Sequence, residues 1–110
     1  IILNKNPELS DYVSNGRKTI AVWMATSKTI KELIKRVKSP IFMSSANKSG
    51  EPTCKNLDEI EKSCPNLDGM LEGKVLFEKG STIVDCISGE IKILRNGPIT
   101  IEEIKRKIEI

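Results

Sequence analysis

The sequence contains no histidine in its 110 residues. That removes at once the Ser-His-Asp triad, the HExxH zinc site and any histidine general base from this chain. Aromatic residues are scarce, with one Trp, one Tyr and two Phe, so a core must be built from aliphatic side chains. Its three cysteines, Cys54, Cys64 and Cys86, form no C-x-x-C pair. An odd, scattered set suits reduced structural thiols better than a disulfide frame or a zinc finger. Long apolar runs are missing too: the longest is six residues, Ile20 to Ala25, against about 20 for a membrane span and roughly 7–15 for a signal-peptide core. The expectation is a cytoplasmic protein with no membrane partner.

Apolar residues make up 38% and charged residues 30%, with a net charge of +3. This is the composition of a single globular domain, here taken as residues 1–110. The chain opens on Ile1-Ile2-Leu3 with no Met, which reads as a strand entered midway and as a fragment of something longer.

Residues 4–18 are dense in turn formers, including Asn6, Pro7, Asn15 and Gly16, and predict a loop holding one short helical turn. Thr19 to Met24 is β-branched and apolar and predicts a strand buried on both faces. Ile30, Leu33, Ile34 and Val37 recur at helical spacing, with Thr29 and Glu32 at capping-box spacing, and predict a helix from about Ser27 to Lys38 that Pro40 stops. Ile41 to Met43 predicts a second buried strand. A short helix is expected over Leu57 to Ser63, with Asn56 and Glu59 at its start. Short strands are expected at Met70-Leu71 and over Lys74 to Phe77. Ser81 to Cys86 and Glu90 to Leu94 predict a hairpin turning at Ser88-Gly89, which puts Ser81 near Arg95. Thr100 and Glu103 repeat the capping-box spacing ahead of a helix carrying Ile101, Ile104 and Ile108. Strands and helices are mixed along the chain, giving an α/β (α+β) class with a mixed sheet carrying helices.

Two stretches offer chemistry. Ser44 to Gly50 follows a predicted strand and precedes a helix, with hydroxyl, amide and backbone donors around a glycine. It reads either as an anion cradle or as an ordinary loop, and composition alone favours the loop. No Walker P-loop and no G-x-G-x-x-G string is present. Arg95, at the end of the hairpin beside Ser81, is placed to fork onto a phosphate or carboxylate, or is an ordinary surface arginine. Lys28, Lys31, Lys35, Arg36 and Lys38 make the first helix basic, as a solvated face or as an RNA contact.

Taken in order, three strings resemble the YrdC family of threonylcarbamoyl-AMP synthases: Ser45-Ala46-Asn47-Lys48-Ser49-Gly50, then Ser81-Thr82 with Asp85, then Ile93-Leu94-Arg95 with Gly97. The resemblance implies a YrdC/DHBP-synthase-like twisted mixed sheet with flanking helices, its N-terminal part absent. It implies a nucleotidyltransferase that joins L-threonine, bicarbonate and ATP into threonylcarbamoyl-AMP, for threonylcarbamoyladenosine modification of tRNA. The carbamate formed on the threonine amine attacks the α-phosphorus, and pyrophosphate leaves with Mg²⁺ neutralising its charge. Positioning and electrostatics carry such a step, with no catalytic side chain named. By position, Thr19, Asn47, Thr53 and Arg95 would meet ATP, and Ser45 and Ser81 would meet threonine. ATP and Mg²⁺ are the implied cofactors, and the tRNA threonylcarbamoyl-transferase machinery, with tRNA contact, the implied partners. The chain departs from the family where Trp23-Met24-Ala25 stands in place of Arg-x-Pro, the arginine of which pairs with the threonine carboxylate. Two alternatives accompany this reading: a carbamoyl-adenylating domain like that of hydrogenase-maturation carbamoyltransferases, and a non-catalytic RNA-binding relative.

Overall fold

A computed structural model describes residues 1–75 and 79–108. The chain divides into two compact units, one of residues 1–30 and 79–110 and one of residues 31–78.

The first unit is organised by a four-stranded sheet of β1 (Ile2–Asn4), β2 (Thr19–Ala21), β3 (Ile83–Asp85) and β4 (Lys92–Arg95), in the order β2-β1-β3-β4. β1 is antiparallel to β2, pairing Ile2 with Ala21 and Asn4 with Thr19, and parallel to β3 through Ile2 and Asp85. The Cys86 N–H donates to the Ile2 carbonyl at 3.0 Å and closes that parallel junction. β3 and β4 are antiparallel. The sheet is therefore mixed, as the alternation of elements implies. Val84, in the middle of the inner strand β3, is the most buried apolar side chain of this unit.

The expected hairpin forms, with strands shorter than expected. Its register near the turn, Asp85 with Lys92 and Val84 with Ile93, is what a turn centred on Ser88-Gly89 gives, and Gly89 has φ +80°. One residue further the ladder shifts, and Ile83 pairs with Arg95 rather than Leu94. That bulge moves Arg95 one place along its partner strand.

The loop of residues 4–18 contains the expected turn, a 3₁₀ helix over Asp11–Ser14 that Ser10 caps by accepting from the Tyr12 N–H. Lys5 bonds and pairs with Asp11 across it. Two extended segments differ from expectation. β2 stops at Ala21, and its ladder ends where the Val22 N–H donates to the Ile1 carbonyl at 2.8 Å. A strand persists only as far as a neighbour pairs with it, so Trp23 and Met24 lie outside the sheet, 51% and 90% exposed. β2 is also an edge strand, with neither face buried.

The second correction concerns Ile41 to Met43, which form no strand; Phe42 is 73% exposed. Their unit holds no strand among the described residues, and an apolar composition states a preference for extended backbone that tertiary context overrides. Met70-Leu71 and residues 74–75 are likewise without strand structure, while Leu76 and Phe77 of the last expected strand lie outside the described residues.

Three helices complete the chain: α1 (Lys28–Val37), α2 (Leu57–Ser63) and α3 (Ile101–Ile108). α1 ends at Lys38, whose φ of 55° is the left-handed conformation of a helix stop, two residues ahead of Pro40. Thr29 lies inside its first turn, so the Thr29–Glu32 cap does not form, and Glu32 instead pairs with Lys35 at 3.1 Å. α2 and α3 start as their capping boxes require. The Glu59 N–H donates to Asn56 Oδ1 at 2.9 Å, and the Glu103 N–H to Thr100 Oγ1 at 3.2 Å.

Candidate functional site

The hairpin end of the first unit is built around Arg95. Its Nε donates to the Ser81 carbonyl at 2.9 Å. Neither terminal nitrogen of the guanidinium has a hydrogen-bond partner among the described residues, and Arg95 is exposed. A fixed guanidinium with a free fork is the group that binds phosphate or carboxylate oxygens bidentately. The sequence expectation that Ser81 and Arg95 share one sheet end is met, through the main chain of Ser81.

Two glycines and a threonine make this approach possible. A Cβ on Gly97 would stand 2.2 Å from the Thr82 nitrogen and 2.6 Å from the Gly80 oxygen. The chain after β4 thus crosses the 80–82 backbone at a distance that only glycine permits. Thr82 then ties the crossing down: its hydroxyl donates to the Ile99 carbonyl at 2.7 Å and accepts from the Ile99 N–H at 3.1 Å. This threonine clasp was not legible in the sequence, since its partners are 17 positions apart and a single threonine in a strand-like string has ordinary uses. Asp85, the acid of the same string, accepts from the Ile87 N–H at 2.9 Å and shapes the turn that follows β3.

Thr19 is not brought to this place. It pairs with Asn4 on the far edge strand, at the opposite end of the sheet from Ser81. From strand spacing and rise it lies on the order of 20 Å from Arg95.

The second unit contains the loop with Ser45, Asn47 and Thr53. The Cys54 N–H donates to the Ala46 carbonyl at 2.8 Å and the Glu51 N–H to the Lys48 carbonyl at 3.0 Å, folding the segment back on itself. Gly50 turns it with φ +83°, a conformation that a side chain would strain. Asn47 is the internal brace: its Nδ2 donates to the Lys48 carbonyl at 2.8 Å and to the Glu51 carbonyl at 3.1 Å. Its Oδ1 is buried without a hydrogen-bond partner, an acceptor left open in a loop otherwise satisfied locally. Ser45 and Thr53 are exposed, and Cys54 beside them is buried. A separate cleft of about 540 Å³ in this unit lies between residues 55–58 and 72–75, a concavity that the sequence did not announce.

Electrostatics at these places are simple. Among the described residues no three Cys, Asp or Glu side chains gather into a metal-binding group. The carboxyls held below their ordinary range lie elsewhere: Asp11 through its hydrogen bond to Lys5 and the charge of that lysine, and Glu103 through the Thr100 N–H and hydroxyl. No helix among the described residues is long and apolar enough to cross a membrane.

A family model for Sua5/YciO/YrdC proteins, described as telomere recombination, matches residues 1–97. No solved structure matches the chain. The model covers most of the chain, including all three strings set out above, and the chain belongs to the Sua5/YciO/YrdC family.

Proposed function

We propose that this Sua5/YciO/YrdC chain serves threonylcarbamoyl-AMP synthesis, binding ATP and L-threonine for nucleotidyl transfer onto a threonine-derived carbamate. The observation that carries the proposal is the seated guanidinium of Arg95, pinned by the Ser81 carbonyl with its fork free. In this reading Arg95 grips a phosphate of ATP, and Ser81 offers its hydroxyl to threonine beside it. Ser45 and Asn47 are assigned by position in the family string and Thr53 by position just after it, with the unpartnered Asn47 Oδ1 as the acceptor awaiting a donor such as an adenine or ribose group. Thr19 is assigned to the nucleotide by resemblance alone. Mg²⁺ enters with the ATP phosphates, whose oxygens are its customary ligands, rather than through a protein cage. The reaction asks for oriented charge instead of a proton-transferring imidazole, which suits a chain with no histidine.

The test is thermal-shift stabilisation by ATP with Mg²⁺, with and without L-threonine, on this chain and its Arg95→Ala form. Stabilisation that grows with threonine and bicarbonate and vanishes in the variant is the expected result. Stabilisation by carbamoyl phosphate in place of threonine would point to the carbamoyl-adenylating alternative, and none by any nucleotide would overturn the proposal.

The basic face of α1 favours a second reading. Lys28, Lys31, Lys35 and Arg36 lie on a helix whose single acid is Glu32, a footprint suited to RNA phosphates. Transfer-RNA binding that weakens with salt, and weakens again in Lys31→Ala/Lys35→Ala, is its expected signature; salt-independent affinity would exclude it.

A further inference from the structure

We propose that Gly80 is a positioning residue for Arg95: its bare Cα lets the guanidinium lie flat across the main chain, presenting both terminal nitrogens to an anionic group. The inference rests on the proposed role of Arg95 as a nucleotide contact and adds the residue that sets its aim. A Cβ built on Gly80 would stand 3.0 Å from Cζ, 3.1 Å from Nη2 and 3.3 Å from Nη1. Nearly equal distances to three atoms of one plane mean that the group is approached over its face, not at its edge. The neighbouring Ser81 carbonyl holds Nε at 2.9 Å, so the plane is fixed at one edge and supported from beneath. That leaves the Nη1/Nη2 fork as the outward surface, the arrangement needed for a phosphate or carboxylate.

The two glycines at this place act differently. At Gly97 the obstruction is backbone, the Thr82 nitrogen at 2.2 Å, and a side chain there distorts the fold. At Gly80 the obstruction is the end of a flexible side chain at 3.0–3.3 Å, and its backbone is outside the left-handed region, so alanine is accepted once the guanidinium gives way by a few tenths of an ångström. Gly80→Ala therefore separates the aim of the arginine from the stability of the fold.

The experiment compares wild type, Gly80→Ala, Arg95→Ala and the double variant, reading melting temperature, affinity for ATP with Mg²⁺ by calorimetry, and the Arg95 Nε–H resonance of labelled protein. In Gly80→Ala the melting temperature is expected to stay within about 2 °C. The Arg95 Nε–H resonance should shift and exchange faster, as its bond to the Ser81 carbonyl lengthens. Affinity should fall about tenfold, the loss of one charge-assisted hydrogen bond. The double variant should bind no worse than Arg95→Ala, because Gly80 acts only through that side chain. An unchanged Nε–H resonance in Gly80→Ala, or a large drop in its melting temperature, overturns the proposal. Undiminished ATP affinity in Arg95→Ala overturns instead the role of Arg95 as nucleotide contact, and the Nε–H resonance then decides the seat by itself.

Discussion

At the scale of the residue, geometry rather than residue type separates Arg95 from the other cations. The chain has 18 lysines and arginines, and eight of them stand on α1, α2 and α3, where charge serves hydration. Arg95 differs because Nε is spent on a main-chain carbonyl and the rest of the group is left over. Arg95→Lys is therefore not conservative: it keeps the charge and loses both the Ser81 bond and the planar fork. Its stabilisation by ATP should fall nearly to that of Arg95→Ala in the thermal-shift assay. Gly97 carries the steric counterpart. With a Cβ 2.2 Å from the Thr82 nitrogen, Gly97→Ala must displace the crossing of the chain after β4 over residues 80–82. A cost of about 2 kcal/mol or more is expected, in the range of severe core or backbone lesions, read as a lower denaturant midpoint. Thr82→Val keeps the shape but removes the hydroxyl that serves both polar groups of Ile99. It should lower stability by about 0.5–1.5 kcal/mol, the net worth of a typical hydrogen bond where water can reach the groups left behind.

At the scale of the element, the helices were the most legible parts, because their signals are local. α2 begins where Asn56 and Glu59 put it, and α3 where Thr100 and Glu103 put it. Thr100→Ala is expected to cost about 1 kcal/mol and to fray α3, which circular dichroism would record as lost helicity. The same cap makes α3 sensitive to acid. The Thr100 N–H, at 2.8 Å from the Glu103 carboxylate, and then the Thr100 hydroxyl hold that carboxyl below its ordinary range. A carboxyl depressed by folding lends its stability fully above its unfolded pKa and withdraws it as the pH falls through the folded value. Helicity of α3 is therefore expected to decline on acidification below the ordinary glutamate range, and a Glu103→Gln form should show a flatter profile. The strands were legible only in part. The hairpin of β3 and β4 has its turn encoded between its two halves, and it formed in register at the turn. The bulge that pairs Ile83 with Arg95 has no local signal in the sequence, yet it sets where the arginine stands. Ile41 to Met43 has the composition of a strand and is not one, because composition states a preference that tertiary context overrides.

At the scale of the whole molecule, the two units differ in how their backbones are satisfied. The unit of residues 1–30 and 79–110 has a ladder running through four strands, whereas the described part of residues 31–78 relies on α1, α2 and local loop bonds. Hydrogen exchange should accordingly show the amides of β1, β3 and Cys86 as the slowest. Within residues 39–55 protection should be confined to positions such as Glu51 and Cys54, and uniform protection across that segment would contradict the structure. The sequence by itself determined the mixed α/β class, the three helices, the hairpin turn and the three strings that place the chain in the Sua5/YciO/YrdC family. These are matters of spacing and local hydrogen bonding, and they are written within a few residues of where they act. Tertiary structure alone decided which apolar runs became strands, that Thr19 stands at the other end of the sheet from Arg95, and that Gly80 lies against the arginine while Gly97 and Thr82 hold the crossing beside it. Each of those depends on a backbone arriving from far along the chain, and strand pairing and close approach are properties of two segments together, which neither segment specifies alone.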